Sequence, residues 1–114
     1  MNTSNPYITK DQSLIRELLH PKDIPGLGMS LAEATVEAGG ITARHRHPEF
    51  DEIYYGLEGE GILYIDDQPH PFTPHSYYLL PRNTWHWLKA GSRLRLLCAC
   101  CPGYTHEGTV LESL

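Results

Sequence analysis

The chain is 114 residues long, with nine basic and fourteen acidic side chains, a formal net charge of −5 and no basic tract. That balance argues against a nucleic-acid or anionic-membrane partner, and the length suits one domain with a single core. No apolar run approaches transmembrane length, and the polar opening Met1-Asn2-Thr3-Ser4-Asn5 is not a signal peptide, so a soluble cytoplasmic protein is expected.

Short extended runs punctuated by Gly, Pro, Asn and Asp dominate, and no long stretch carries a helical period. Residues 1–28 read as an N-terminal arm and edge strand, with a strand at Ser13 to Leu19 that Pro21 and Pro25 terminate. Residues 29–101 read as the body of a barrel. Met29 to Val36 alternates and stops at Gly39-Gly40, Ile41 to His47 follows, and Glu52 to Tyr55 begins after a short turn. Ile62 to Ile65 comes after Glu58-Gly59-Glu60-Gly61, and Asp66-Asp67 closes a hairpin. Ser76 to Leu80, Trp85 to Lys89 and Arg93 to Cys101 complete the set. The tail, residues 102–114, reads as irregular chain with a final strand as the alternative. Many short strands with regular turn signals imply an all-β sandwich or barrel.

Alternation assigns faces. In Arg93 to Cys100 the arginines belong outside, which sends Leu94, Leu96, Cys98 and Cys100 inside. By the same logic Arg44 and Arg46 face outward while His45 and His47 face inward, and Tyr54 shares the inward face with Glu52. Trp85 and Trp87 flank His86 and point away from it. Three cysteines packed into Cys98, Cys100 and Cys101 close no relaxed disulfide and imply reduced thiols in a reducing compartment. Cys98 and Cys100 are expected as small apolar residues of a buried strand, with a place on a pocket floor as the alternative.

The most informative pattern is Gly39-x5-His45-x-His47-x4-Glu52-x6-Gly59, with His86 downstream. His45 and His47, two apart on extended chain, leave the same face. Three imidazoles and one carboxylate suit one divalent transition metal per chain, Zn, Fe, Mn, Ni or Co. This spacing resembles the first motif of the cupin superfamily, G-x5-HxH-x3,4-E-x6-G, at every fixed position. The second cupin motif, G-x5-PxG-x2-H-x3-N, is matched in part by His75-x5-Pro81-Arg82-Asn83-Thr84-Trp85-His86-x3-Ala90, where proline and histidine keep register. His75 and Asn83 stand where the family has glycine, and both residue types tolerate positive φ. The resemblance runs from about Leu31 to Pro102.

The resemblance implies a double-stranded antiparallel β-barrel of the cupin, or jelly-roll, type, with a metal near one mouth. A homodimer is also expected, in which the Met1 to Leu19 segment adds to a partner's sheet and protects an edge. A ligand set of His45, His47, Glu52 and His86 on a six-coordinate metal leaves two open positions for substrate, water or dioxygen. Tyr54 and Glu52 are the candidate catalytic residues. Tyr54 acts either as an acid or hydrogen-bond donor to substrate or as packing in the barrel mouth, and Glu52 serves as a base only when it does not ligate. Arg82 lies in the loop before His86, as a partner for a substrate carboxylate or as a solvated loop cation. Tyr104 or His106 folds back as a lid, or the tail merely closes the barrel end.

The leading functional expectation is a metal-dependent enzyme acting on a small polar metabolite, by isomerase, decarboxylase, lyase or dioxygenase chemistry. The scarcity of inward cations argues against a sugar phosphate. The alternatives are a non-enzymatic module that binds or senses a sugar or other metabolite, and a storage-type or structural metal.

Overall fold

The computed structural model describes residues 7–8 and 13–112. These contain no helix. The strands are β1 (Tyr7–Ile8), β2 (Leu14–Leu19), β3 (Ser30–Val36), β4 (His45–Arg46), β5 (Asp51–Glu58) and β6 (Gly61–Ile65), then β7 (Gln68–Phe72), β8 (Tyr77–Leu80), β9 (His86–Ala90), β10 (Leu94–Cys101) and β11 (Val110–Leu111). They form a six-stranded sheet in the order β1-β2-β3-β10-β5-β8 and a five-stranded sheet in the order β11-β4-β9-β6-β7. Pairing is antiparallel throughout. The class is the expected jelly roll, although among the described residues no ladder joins the two sheets into a closed barrel.

Period-two alternation builds the core. Strand β10 buries Leu94, Leu96, Cys98 and Cys100 and turns Arg95 outward, where its guanidinium meets Glu33 and Glu58. Strand β5 buries Glu52 and Tyr54 and exposes Ile53 and Tyr55. Across the sandwich Leu63, Phe72 and Leu88 close on Leu80, Leu94 and Leu96. Each such fully buried aliphatic side chain contributes about 1.5–3 kcal/mol relative to exposure.

The turns obey their local chemistry. Asp66 and Asp67, with φ of 49° and 66°, make the two-residue connection between Ile65 and its partner Gln68, where both central residues need positive φ. His75 and Asn83 have φ of 72° and 66°, so they occupy the left-handed conformation that the family's glycines would supply. Gly59 has φ of 79°, and a Cβ there would stand 1.9 Å from the Arg93 carbonyl oxygen, so no other residue fits without backbone movement.

Three features add to the sequence reading. The hairpin expected at Asp66-Asp67 forms, and its second strand, given no span in the sequence reading, is β7, which contains Pro69 and Pro71. It is an edge strand of the five-stranded sheet, the one position where missing N–H groups can be accommodated. The strand expected over Ile41 to His47 contracts to β4, with Ile41 bridging Lys89 in isolation. In the N-terminal arm, β2 pairs with β3, with Ile15 opposite Ala34, and β1 forms the edge of the six-stranded sheet. The rest of that arm, residues 1–6 and 9–12, lies outside the described residues.

Candidate metal centre

His45 and His86 are directly opposed across β4 and β9, and His47 follows on the inward side of the same extended chain. The three ring centroids lie 4.1 to 5.5 Å apart, and all three side chains are buried. One nitrogen from each converges within 4.8 Å of the others. Three histidines are thus positioned to bind a metal. Glu52 approaches from the facing sheet, with Oε1 3.4 Å from Nε2 of both His47 and His86.

The remaining ring nitrogens fix the tautomers. Nδ1 of His45 meets the Ala43 carbonyl at 2.7 Å, and Nδ1 of His86 meets the Thr84 carbonyl at 2.9 Å. Nδ1 of His47 meets the Gly108 carbonyl at 3.2 Å. A carbonyl oxygen only accepts, so each Nδ1 carries the proton and each Nε2 turns a lone pair into the site. On Glu52 the Cys100 thiol donates to Oε2 at 3.4 Å, leaving Oε1 aimed at the imidazoles.

Lone pairs therefore face a carboxylate oxygen at 3.4 Å without hydrogen-bond alignment. Glu52 Oε1 and His86 Nε2 are buried atoms with no hydrogen-bond partner. Such orphans are rare in folded proteins, and a divalent cation among them would satisfy both. The donor set therefore fits a metal. Burial alone would push the Glu52 carboxyl up; against positively charged His47 and His86 rings, which carry a proton on Nε2 as well, the metal-free site instead holds it below the usual carboxylate range. Burial, reinforced by the Glu52 charge, pushes the Cys100 thiol up, so it remains a neutral donor.

His45, His47 and Glu52 line a small cavity of about 40 Å³ between the sheets. Tyr54 is buried in its wall, edge-on to His86 with centroids 5.7 Å apart. Cys98 and Cys100 also line it, so the two expectations for these thiols hold together: they are packed strand residues and part of the cavity wall. Tyr104 folds back edge-on to His47 and Phe50, while His106 is exposed in an outer pocket. Arg82 is exposed, lies 3.5 Å from Asp51 and does not line the cavity. Trp85 and Trp87 do point away from His86: Arg44 stacks over both and Arg46 over Trp85, on the outer face of the sheet.

The sequence reading missed Ser13, Glu17 and Ser30, buried polar residues in the cavity wall. A signal for the first two was present. Arg16 marks the outward face of β2, which sends Ser13, Ile15 and Glu17 inward even though Leu14 is the more apolar residue.

The sequence model of the cupin domain matches residues 32–100. An uncharacterized protein of Methanocaldococcus jannaschii is 43% identical over 94% of this chain and 88% of its own length. An L-ectoine synthase of Mycobacteroides abscessus is 33% identical over 70% of this chain, and the match spans 62% of that enzyme, less than two thirds of it. The crystal structure of ectoine synthase from P. lautus superposes with a TM-score of 0.75 at 30% identity, covering 93% of this chain and 80% of that one.

Proposed function

This chain belongs to the cupin family, and on that footing we propose that it is a metal-dependent enzyme acting on a small polar metabolite. Its metal is one divalent transition ion held by His45, His47, His86 and Glu52. The observation that carries this reading is the set of converging Nε2 lone pairs and the orphaned Glu52 Oε1, each braced from behind by a hydrogen bond to Nδ1 or Oε2.

Such an ion supplies Lewis acidity for isomerase, decarboxylase or lyase chemistry, or, as iron, the electrons of dioxygenase chemistry. The chain's own residues then divide the work. The carbonyls of Ala43, Thr84 and Gly108 hold the imidazoles in one tautomer, which raises their basicity as ligands. Glu52 brings one negative charge, and the neutral Cys100 thiol keeps its second oxygen turned away. Tyr54, which lines the cavity beside His86, would give or take a proton from a molecule held there. Resemblance to ectoine synthases, which act on small molecules as enzymes, supports catalysis over simple storage of metal.

A homodimer suits the outer face of the six-stranded sheet. Ile53, Tyr77 and Leu79 are 48%, 75% and 60% exposed there, beside the edge strand β8. Three cysteines within four positions, none in a disulfide, support a reducing compartment such as the cytoplasm.

Elemental mass spectrometry on protein purified without an affinity tag tests the centre. About one transition metal per chain is expected. A protein that stays empty after dialysis against iron, manganese, zinc and nickel defeats the reading, and a non-enzymatic binding cupin becomes the better account.

A further inference from the structure

Glu17 is a carboxylate on the inner face of β2, 7% exposed, in a wall that is otherwise mostly apolar. It lines the cavity that holds His45, His47 and Glu52, and it also lines the outer pocket formed with His20, Lys22 and Tyr104. With Tyr104 it is common to both linings, and so stands between the inner cavity and the outer pocket. Its row of the sheet runs through Ala32 and Cys98 to Tyr54, two residues from Glu52 along β5. That is three strand spacings, roughly 14 Å of sheet, curling over the cavity. A buried carboxylate is costly unless a cation compensates it.

The compensating cation comes from outside. The Lys22 ammonium closes on Glu17 Oε1, but the Lys22 side chain is 53% exposed and leaves from the turn that follows β2. His20 does not compete for this role. Its Nε2 donates to the Tyr104 carbonyl at 2.7 Å, its Nδ1 accepts from the Lys22 backbone N–H at 3.0 Å, and Glu17 is 3.7 Å away. The carboxylate is fixed on a strand, whereas its counter-ion sits on a flexible, half-solvated stem that swings into water at little cost. Among the described residues, no lysine or arginine lines the cavity itself.

We propose that Glu17 is the specificity-determining residue for a cationic end of the substrate. The molecule that reaches the metal centre carries an ammonium group at its far end, and the Lys22 ammonium occupies that group's place on Glu17 until it arrives. This rests on the reading of the four-residue set as a metal centre. The charges then complement a zwitterion: a divalent ion with Glu52 leaves one positive charge for an anionic end, and Glu17 offers one negative charge for a cationic end. A phosphate ester or a neutral apolar molecule would leave Glu17 without a matching group.

The test is calorimetric titration of the purified, metal-containing protein with gamma-aminobutyrate, delta-aminovalerate and epsilon-aminocaproate. Each is compared with butyrate, valerate or caproate, the same chain without its amine. At least one amino carboxylate should bind roughly tenfold tighter than its counterpart, the increment of a charge-assisted hydrogen bond. Glu17→Gln, of nearly the same shape, should erase that preference and leave metal content unchanged. Glu17→Asp keeps the charge but draws it back by one methylene, so it should favour the next longer member. Lys22→Met should tighten the amino series and leave the other series alone.

Equal affinities for the two series, a preference that survives Glu17→Gln, or no binding of either series by metal-containing protein overturns the proposal. Metal content measured on the same samples separates the two ideas. An empty wild-type protein defeats the metal centre, whereas about one metal per chain without an ammonium preference defeats the role of Glu17 alone.

Discussion

Replacing His47 with alanine separates the metal centre from the fold that carries it. The imidazole is buried, stacks on Phe50 at 4.4 Å and 24°, and hydrogen-bonds the Gly108 carbonyl. Losing the stacking costs about 0.5–1.5 kcal/mol and losing the net hydrogen bond a similar amount. The vacated space joins the existing cavity of about 40 Å³, where water can enter, so a dry void adds little. The metal-free protein should therefore lose about 1–3 kcal/mol, against a total of about 5–15 kcal/mol for a domain of this kind. At about 4 °C per kcal/mol for this chain length, Tm falls by roughly 4–12 °C and the protein stays folded. The metal-dependent part behaves differently. In the wild type a metal at a thousand times its Kd adds about 4 kcal/mol, so a chelator should lower Tm by roughly 16 °C. In His47→Ala the chelator should change nothing, because the ion is already absent. The assay is paired thermal unfolding with and without chelator, alongside elemental analysis. Full metal occupancy in His47→Ala, or an unchanged chelator response, refutes the assignment.

Gly59→Ala forces positive φ on a Cβ that meets the Arg93 carbonyl, so it should cost about 1–3 kcal/mol, while Gly28→Ala, with open space around it, should be near neutral; equal Tm values would contradict the turn argument. In chelated protein the Glu52 carboxyl is held below its ordinary value of 4.5, so the unfolded chain binds its proton first on acidification. Its stabilising contribution is whole above that value and is lost as pH falls through the lower folded-state range. Glu52→Gln should accordingly flatten the acid limb of a Tm–pH profile, and parallel limbs would show that Glu52 does not titrate this way. Leu79→Lys, on the exposed apolar face beside Ile53, should convert a dimer to a monomer in size-exclusion chromatography with light scattering; a wild type that is already monomeric removes the dimer reading.

Much of the site was legible because strand geometry is local. The two-residue period alone turns His45 and His47 to one side and Arg44 and Arg46 to the other, and it buries Cys98 and Cys100 while turning Arg95 outward. Local too are the turn conformations at Asp66, Asp67, His75 and Asn83, which follow from side chains that tolerate positive φ. Even two of the three imidazole braces are local, each reaching the carbonyl two residues earlier.

What only the tertiary structure decided depends on which strands face one another. The Gly108 brace comes from 61 residues beyond His47, and the Cys100 donor lies 48 residues beyond Glu52, joined to it by the pairing of β10 with β5. Strand β7 exists because an edge spares Pro69 and Pro71 from donating hydrogen bonds, and the edge is a property of the sheet order. Glu17 is the sharpest case: alternation gives its face, but only packing makes that face a cavity wall shared with the histidines. A strand's own residues set where its side chains point; the partners they meet are set by the summed burial of the whole sandwich.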